Sequence, residues 1–115
     1  MTPEAPLIIL IEDEENILKL VTVVLERAGY QVRGFSSGDE ALTATPQLLR
    51  EARLALVDAV FGGLETVQAL RKINPRLKTA IVTGKDFDPH PDIDRIIWLP
   101  FRVEDLLRHV HELLS

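Results

Sequence analysis

Short runs of apolar residues alternate along this chain with longer segments of helical periodicity, and this alternation limits its fold more than any other feature. The apolar runs are Leu7–Ile11, Leu54–Val57, Thr79–Val82 and Ile96–Leu99. Because polar and apolar residues do not alternate within them, they predict strands buried on both faces of a parallel sheet. Gln31–Phe35 is predicted to be a further strand, with Val32 and Phe35 as its buried residues.

The segments between these runs carry apolar side chains at helical spacing, which predicts amphipathic helices. The stripes of the first and last helices consist of Ile17, Leu18, Val21, Val24, Leu25 and Ala28, and of Val103, Leu106, Leu107, Val110, Leu113 and Leu114. Another predicted helix covers Asp39–Thr45, breaks at Pro46 and continues toward Glu51. A further one, Gly63–Ile73, ends before an Asn-Pro pair.

Strands that alternate with helices predict an α/β fold with right-handed connections. We therefore expect a doubly wound, five-stranded parallel sheet with helices on both of its faces. With 115 residues, the chain is long enough for one such domain, which we expect to span residues 1–115 with a core of about 6–114. In sheets of this kind, functional side chains gather beyond the carboxyl ends of the strands.

The composition argues against several classes of protein. There is no cysteine, which excludes a disulfide framework, a thiolate zinc site and a cysteine nucleophile. The net charge of −5 argues against direct binding of nucleic acid. No apolar run is long enough to cross a membrane, and no signal-peptide pattern begins the sequence. We expect a soluble, cytoplasmic module that binds other proteins.

Acidic residues and a hydroxyl group follow the ends of three predicted strands. Strand 1 leads into Glu12 and Asp13, strand 3 into Asp58, and strand 4 into Thr83. Carboxylates held close together raise each other's pKa unless a cation neutralises them, and Mg²⁺ prefers such oxygen ligands. An aspartate beside Mg²⁺ and a hydroxyl can accept a phosphoryl group as an acyl phosphate. The simpler alternative is that acidic residues favour the start of a helix.

In their order and spacing, several fragments resemble the receiver domain of response regulators in two-component signalling. They are Ile8–Glu14, Leu56–Asp58, Gly63–Glu65, Ala80–Gly84 and Leu99–Phe101. The resemblance covers about Pro6 to Leu114 and implies a flavodoxin-like fold. It also implies that Asp58 is the phosphoacceptor and that Thr83 senses the phosphoryl group.

The resemblance further implies a cofactor and a partner. Mg²⁺ would be held by Asp13, Asp58 and the backbone carbonyl of Val60, and Glu12 would act through a bound water. The phosphoryl group would come from a histidine kinase or a phosphotransfer protein. On this interpretation the domain is not an enzyme.

Two positions near strand 5 depart from the family pattern. Leu99 stands where the family has a lysine that pairs with the phosphoryl oxygens, and leucine offers neither charge nor donor. Lys85 or Arg102 are candidate substitutes, although a solvated loop position is the simpler interpretation of each. Ile96 replaces the usual switch aromatic, and Trp98 is better suited to packing or to an interface.

Two loops also depart from the pattern. Ala59–Gly62 is shorter than the family's loop at that place, which leaves the geometry of the Val60 carbonyl open. Gly84–Asp94 has 11 residues, including two prolines, and we predict that the helix between strands 4 and 5 is absent or reduced to one turn. The bared sheet then predicts a homodimer or a downstream protein on the strand 4–strand 5–helix 5 face, through Ile97 or Trp98.

Two functions remain open from the sequence. The first is a phosphorylatable receiver with weakened or altered switching, which the intact acidic residues and Thr83 favour. The second is a pseudo-receiver that binds proteins without phosphorylation, which Leu99, Ile96 and the missing helix favour. A hydrolase with an aspartyl-phosphate intermediate is disfavoured, because Val60 stands where such enzymes carry a second aspartate after Asp58.

Overall fold

Strands and helices alternate along the chain as the apolar pattern predicts. The computed structural model describes residues 5–60 and 62–115. The strands are β1 (Leu7–Ile11), β2 (Gln31–Phe35), β3 (Leu54–Asp58), β4 (Lys78–Thr83) and β5 (Arg95–Trp98). The helices are α1 (Glu15–Arg27), α2 (Gly38–Leu42), α3 (Pro46–Glu51), α4 (Gly63–Ile73) and α5 (Val103–Leu114). None of these helices is long and apolar enough to span a membrane.

The five strands form one parallel sheet in the order β2-β1-β3-β4-β5. From β1 the chain moves to the edge strand β2 and then returns past β1 to β3. This reversal confirms the predicted doubly wound topology and opens a crevice at the carboxyl ends of β1 and β3, which is the usual place for a ligand site. The strands β1 and β3 are in register at Ile11 and Val57, so the residues that follow them are neighbours.

Alternate residues of each strand point to opposite faces of the sheet, and both faces are covered by helices. One face packs against α2, α3 and α4, and its buried residues include Ile9, Ile11, Val57, Val67, Leu70 and Ile81. The other packs against α1 and α5, and its buried residues include Ile8, Leu10, Leu25, Leu56, Ile97 and Leu106. Burial on both faces explains why the central strands lack a polar alternation.

The predicted break in the second helical segment is confirmed. Thr45 caps α3 by accepting a hydrogen bond from the Leu48 amide at 3.2 Å, and Pro46 takes the first helical position. Proline is favoured there because the amide it lacks has no helical partner at a helix start. Pro46 therefore begins a second short helix, whereas α2 already ends at Leu42, three residues before the predicted end at Thr45.

No helix lies between β4 and β5, and all residues of this connection are within the described part of the chain. The connection, residues 84–94, is called here the β4–β5 loop. Its Phe87 and Ile93 pack on the core cluster of the α4 side, so the loop covers part of the sheet face that a helix would cover. The Thr79 hydroxyl donates a hydrogen bond to the Asp92 carbonyl at 2.7 Å, which ties the loop to β4.

The expected partner surface on β5 needs one correction. Ile97 is only 1% exposed and lies in the core between the sheet, α1 and α5. It points to that face because side chains alternate along a strand, so it cannot contact a partner. Trp98, in contrast, is 50% exposed.

Three residues of the predicted apolar stripes are exposed, and one of them, Ala28, lies just beyond the end of α1. Ile17 in α1 and Val103 in α5 are exposed. Each lies in the first turns of its helix, beside the crevice at the carboxyl ends of the strands. There the sheet no longer extends beneath the helix, so the stripe has nothing to pack against.

Candidate functional site

Three carboxylates meet at the carboxyl ends of β1 and β3. Glu12 and Asp13 follow β1 directly, and Asp58 is the last residue of β3. One oxygen from each of these three side chains, called here the acidic cluster, lies within 4.8 Å of the others. The sequence prediction that the loops converge is therefore matched by the structure.

The acidic cluster carries a high density of negative charge. Partial burial raises the pKa of Glu12 from its usual 4.5 to about 7, and hydrogen bonding to Asp13 and Asp58 together with the charge of Asp58 adds to the increase. A hydrogen bond from the Glu14 amide to Glu12 Oε1, 3.0 Å long, acts in the opposite direction. Three carboxylates held this close together fit a hard divalent ion such as Mg²⁺.

Asp58 is oriented by the backbone that follows it. Its Oδ1 accepts a hydrogen bond from the Val60 amide at 3.0 Å. Gly62 then adopts a φ of 85°, a left-handed conformation that favours glycine, and α4 begins at the next residue. The short connection predicted from the sequence thus turns sharply at Gly62, while Phe61 lies outside the described residues.

Thr83 ends β4 and is buried beside the crevice. Its hydroxyl donates a hydrogen bond to the Lys85 carbonyl at 3.0 Å, and it accepts one from the Lys85 amide at 3.1 Å. The hydroxyl therefore fixes the start of the β4–β5 loop. Thr83 lines the same cavity as Asp58, as the family pattern implies.

A cavity of about 630 Å³ opens above the acidic cluster and is called here the acidic cavity. Its floor contains Glu12, Asp13, Asp58 and Thr83. Its walls are largely apolar and include Ile17, Val21, Val82, Phe87, Leu99, Phe101 and Leu106. The sequence analysis did not predict these apolar walls, although Leu99 in place of a lysine was a signal of them.

Leu99 contributes one wall of the acidic cavity. The side chain is 46% exposed, and its backbone amide donates to the Thr83 carbonyl at 2.8 Å. A Cβ atom placed on Gly84 would lie 3.7 Å from the Leu99 Cβ. The ends of β4 and β5 are therefore in contact, and Thr83, Gly84 and Leu99 line the same cavity as the acidic cluster.

Of the positions near β5, Ile96 and Trp98 do not line the acidic cavity. Ile96 packs on the α4-side core, and Trp98 follows it on the same side of β5. Arg102 is exposed and precedes the first turn of α5, and it is not one of the residues that line the acidic cavity. Of the two candidate substitute cations, the structure brings only Lys85 to the site.

A parallel sheet with carboxylates at the ends of β1 and β3 and a hydroxyl at the end of β4 defines a receiver-type site. The sequence model of the response regulator receiver domain matches residues 8–97. The chain therefore belongs to the response regulator receiver domain family of two-component signalling. Receiver domains interact with histidine kinases or phosphotransfer proteins, and phosphorylation and magnesium are typical of the family.

Three relatives illustrate the similarity. The response regulator receiver protein CpdR of Brucella abortus is 28% identical, over 93% of this chain and 95% of CpdR. The uncharacterized transcriptional regulatory protein YkoG of Bacillus subtilis is 30% identical over 93% of this chain, which spans only 50% of YkoG. The crystal structure of the response regulator TrrA of Thermotoga maritima, in complex with Mg²⁺ and BeF, superposes with a TM-score of 0.80 at 24% identity. That superposition covers 95% of this chain and 99% of TrrA.

Proposed function

We propose that this chain accepts a phosphoryl group on Asp58 from a histidine kinase or a phosphotransfer protein, as a receiver module in a phosphorelay. The observation that supports this most directly is the placement of Asp58. It ends β3 within 4.8 Å of the other carboxylate oxygens of the acidic cluster, and it shares the acidic cavity with Thr83. An aspartate with a metal-binding donor set and a nearby hydroxyl has the groups that phosphoryl transfer requires.

We propose Mg²⁺ as the cofactor. Asp13, Asp58 and the backbone carbonyl of Val60 would hold the ion, and Glu12 would act through a bound water. When bound, Mg²⁺ supplies positive charge that offsets the carboxylates and the phosphoryl oxygens. The hydrogen bond from the Val60 amide keeps one oxygen of Asp58 in place, which leaves the other oxygen to act as the nucleophile.

We propose that switching after phosphorylation is weakened or altered relative to the family pattern. Leu99 cannot donate to the phosphoryl oxygens, and Ile96 packs in the α4-side core in place of a mobile aromatic ring. The β4–β5 loop further replaces the helix through which the family carries output. Thr83 would still donate its hydroxyl to a phosphoryl oxygen.

The same departures support a second candidate, a pseudo-receiver that binds partners without phosphorylation. The apolar wall formed by Leu99 is the observation that favours it. In either case the chain is not itself an enzyme in this proposal, because the phosphoryl group is received from a partner. A cytoplasmic location, expected from the sequence, stays a prediction.

Mass spectrometry separates the two candidates. The protein is incubated with Mg²⁺ and acetyl phosphate, and the intact mass is measured with and without a metal chelator. We expect one phosphoryl adduct that disappears with the chelator and in Asp58→Asn, and that persists in the matched control Asp86→Asn. Asp86 is an exposed acid that also lines the acidic cavity. Absence of any adduct, also with cognate kinase, would favour the pseudo-receiver.

We also propose that the β4–β5–α5 face contacts a second copy of the chain or a downstream protein. The half-exposed Trp98 on the edge strand β5 supports this contact, since a large exposed aromatic is a frequent interface residue. Sedimentation equilibrium of the wild type and of Trp98→Ser tests the homodimer. A strict monomer at high concentration would leave only the downstream protein.

A further inference from the structure

Among the residues that the structure describes, one basic side chain lines the acidic cavity. Its lining residues include five acidic ones, Glu12, Asp13, Glu14, Asp58 and Asp86, and Lys85 is the one lysine or arginine among the described residues that line it. A phosphoryl group on Asp58 adds further negative charge to this set. Apart from a bound metal, Lys85 is therefore the one source of positive charge among the described residues that line this cavity.

The backbone around Lys85 is held in place by the residues of the site. The Thr83 hydroxyl forms hydrogen bonds with both the amide and the carbonyl of Lys85. Gly84 lies between Thr83 and Lys85 in the sequence. A Cβ atom placed on Gly84 would lie 3.7 Å from the Leu99 Cβ. Lys85 is thus the second residue of the β4–β5 loop and follows Gly84, which lies beside the residue that stands in the place of the family's lysine.

The other cations near β5 are engaged or remote. Arg95 pairs with Glu112 of α5 at 2.8 Å. Lys78 begins β4 and so lies at the opposite end of the strand from Thr83. Arg102 does not line the acidic cavity. Of the basic residues in the described chain, only Lys85 is exposed and also lines the acidic cavity that contains Asp58.

We propose that the ammonium group of Lys85 contacts the phosphoryl oxygens and supplies, from the β4–β5 loop, the charge that Leu99 cannot supply from the end of β5. This role rests on the proposed phosphorylation of Asp58. With acetyl phosphate, an Asp58 oxygen forms a bond to phosphorus while the bond from phosphorus to the acetate oxygen breaks, and acetate leaves with the electron pair. No proton is transferred, and Lys85 stays charged throughout.

The expected contribution is modest because Lys85 is exposed. Removing one fully enclosed donor from an oxyanion site lowers rates by about 10²–10³-fold. Solvent screens an exposed ammonium, so we expect about a tenfold effect for Lys85. The ammonium should also repel Mg²⁺ from the acidic cluster. Removing it should therefore slow phosphorylation but strengthen Mg²⁺ binding.

The first measurement compares the rates of phosphorylation by acetyl phosphate at saturating Mg²⁺. The intact mass of each protein is measured over time. We expect Lys85→Ala to be about tenfold slower than the wild type, and Lys85→Arg to stay within about twofold because it keeps the charge. Lys78→Ala is the matched control, since it removes the same charge at the far end of β4. Its rate should equal that of the wild type.

The second measurement uses the fluorescence of Trp98, the single tryptophan, to titrate Mg²⁺ alone and then beryllofluoride in saturating Mg²⁺. We expect Lys85→Ala to bind Mg²⁺ at least as tightly as the wild type and beryllofluoride about tenfold more weakly.

A wild-type rate and beryllofluoride affinity in Lys85→Ala would overturn the proposal. Parallel losses of rate and Mg²⁺ affinity would overturn it as well, because they indicate a structural role. If the wild type forms no adduct and binds no beryllofluoride, the proposed function itself fails.

Discussion

The hydroxyl of Thr83 donates its single proton to the backbone carbonyl of Lys85, at 3.0 Å. A threonine hydroxyl has one hydrogen to donate, so it cannot at the same time donate to a phosphoryl group on Asp58. A contact with that phosphoryl group requires the hydroxyl to rotate and to release the Lys85 carbonyl. The first turn of the β4–β5 loop is therefore the segment that we expect to move on phosphorylation.

Replacing Thr83 with valine should weaken the phosphoryl-bound state. Valine keeps the volume of threonine and removes the hydroxyl, and a charge-assisted hydrogen bond contributes about 1.5–3 kcal/mol. We expect Thr83→Val to bind beryllofluoride at least tenfold more weakly in the Trp98 titration, at about 1.4 kcal/mol per factor of ten. Thr83→Ser keeps the hydroxyl and should stay near the wild type. Equal affinities for all three proteins would contradict a contact between Thr83 and the phosphoryl group.

A lysine at position 99 should restore the charge of the family pattern. Leu99 is exposed on the wall of the acidic cavity, so Leu99→Lys introduces no fully buried charge. We expect phosphorylation by acetyl phosphate to become about tenfold faster, since a second cation stabilises the phosphoryl oxygens. The same substitution should weaken Mg²⁺ binding, because it adds positive charge near the acidic cluster.

Leu99→Met, of similar size and without charge, is the control for this prediction. It should leave both the phosphorylation rate and the Mg²⁺ affinity close to those of the wild type. If Leu99→Lys were phosphorylated no faster than Leu99→Met, charge at this position would not limit the reaction.

The raised pKa of Glu12 predicts a pH dependence of stability when no metal is bound. The folded protein holds a proton on Glu12 up to about pH 7, whereas the unfolded chain loses it near 4.5. The unfolding free energy from this group is therefore highest below about 4.5 and falls as the pH rises through about 7. Because Glu12 is only partly buried, solvent screening limits the effect to about 1 kcal/mol.

Denaturant unfolding of the wild type and Glu12→Gln across this pH range isolates the effect. In the presence of a chelator, we expect the unfolding free energy of Glu12→Gln to increase relative to that of the wild type as the pH rises. Mg²⁺ should then stabilise the wild type most above about pH 7, because binding requires the deprotonated carboxylate. Parallel pH profiles for the two proteins would contradict the raised pKa.

The strand and helix pattern was predictable because burial on both faces leaves a direct trace in the sequence. Runs such as Leu54–Val57 cannot be exposed on either side, and Pro46 marks a helix start with a known preference. Which stripe residues are covered was not predictable, since it depends on where the sheet ends. Ile17 and Val103 belong to regular apolar stripes, yet the sheet stops short of them and they remain exposed.

The acidic residues of the site were predictable because they directly follow buried strands whose carboxyl ends must meet. Contacts within the β4–β5 loop were not, since an irregular segment has no periodicity from which side-chain directions follow. The hydrogen bonds between Thr83 and Lys85, and the approach of Gly84 to Leu99, depend on the path of that loop. Their importance was suggested only by the unexpected Leu99.

Anchoring of the β4–β5 loop can be tested at Thr79, which is fully buried in β4. Its hydroxyl donates to the Asp92 carbonyl at 2.7 Å, and its amide donates to the Asp94 carboxylate at 2.8 Å. Valine would keep the packing and the amide bond, but it would leave the Asp92 carbonyl without this donor. We expect Thr79→Val to lower the unfolding free energy by about 1–2 kcal/mol in denaturant titrations.

The control for this prediction is Thr43→Val. Thr43 is exposed, and its hydroxyl donates a hydrogen bond to the Glu40 carbonyl. Valine there removes this hydrogen bond, but water can take the place of the hydroxyl. A change within about 0.5 kcal/mol is expected for such a surface site.

Amide hydrogen exchange in residues 84–94 should also be faster in Thr79→Val, because the loop is held to β4 through the Thr79 hydroxyl. If Thr79→Val were no less stable than Thr43→Val and exchange in the loop were unchanged, Phe87 and Ile93 alone would account for the position of the loop.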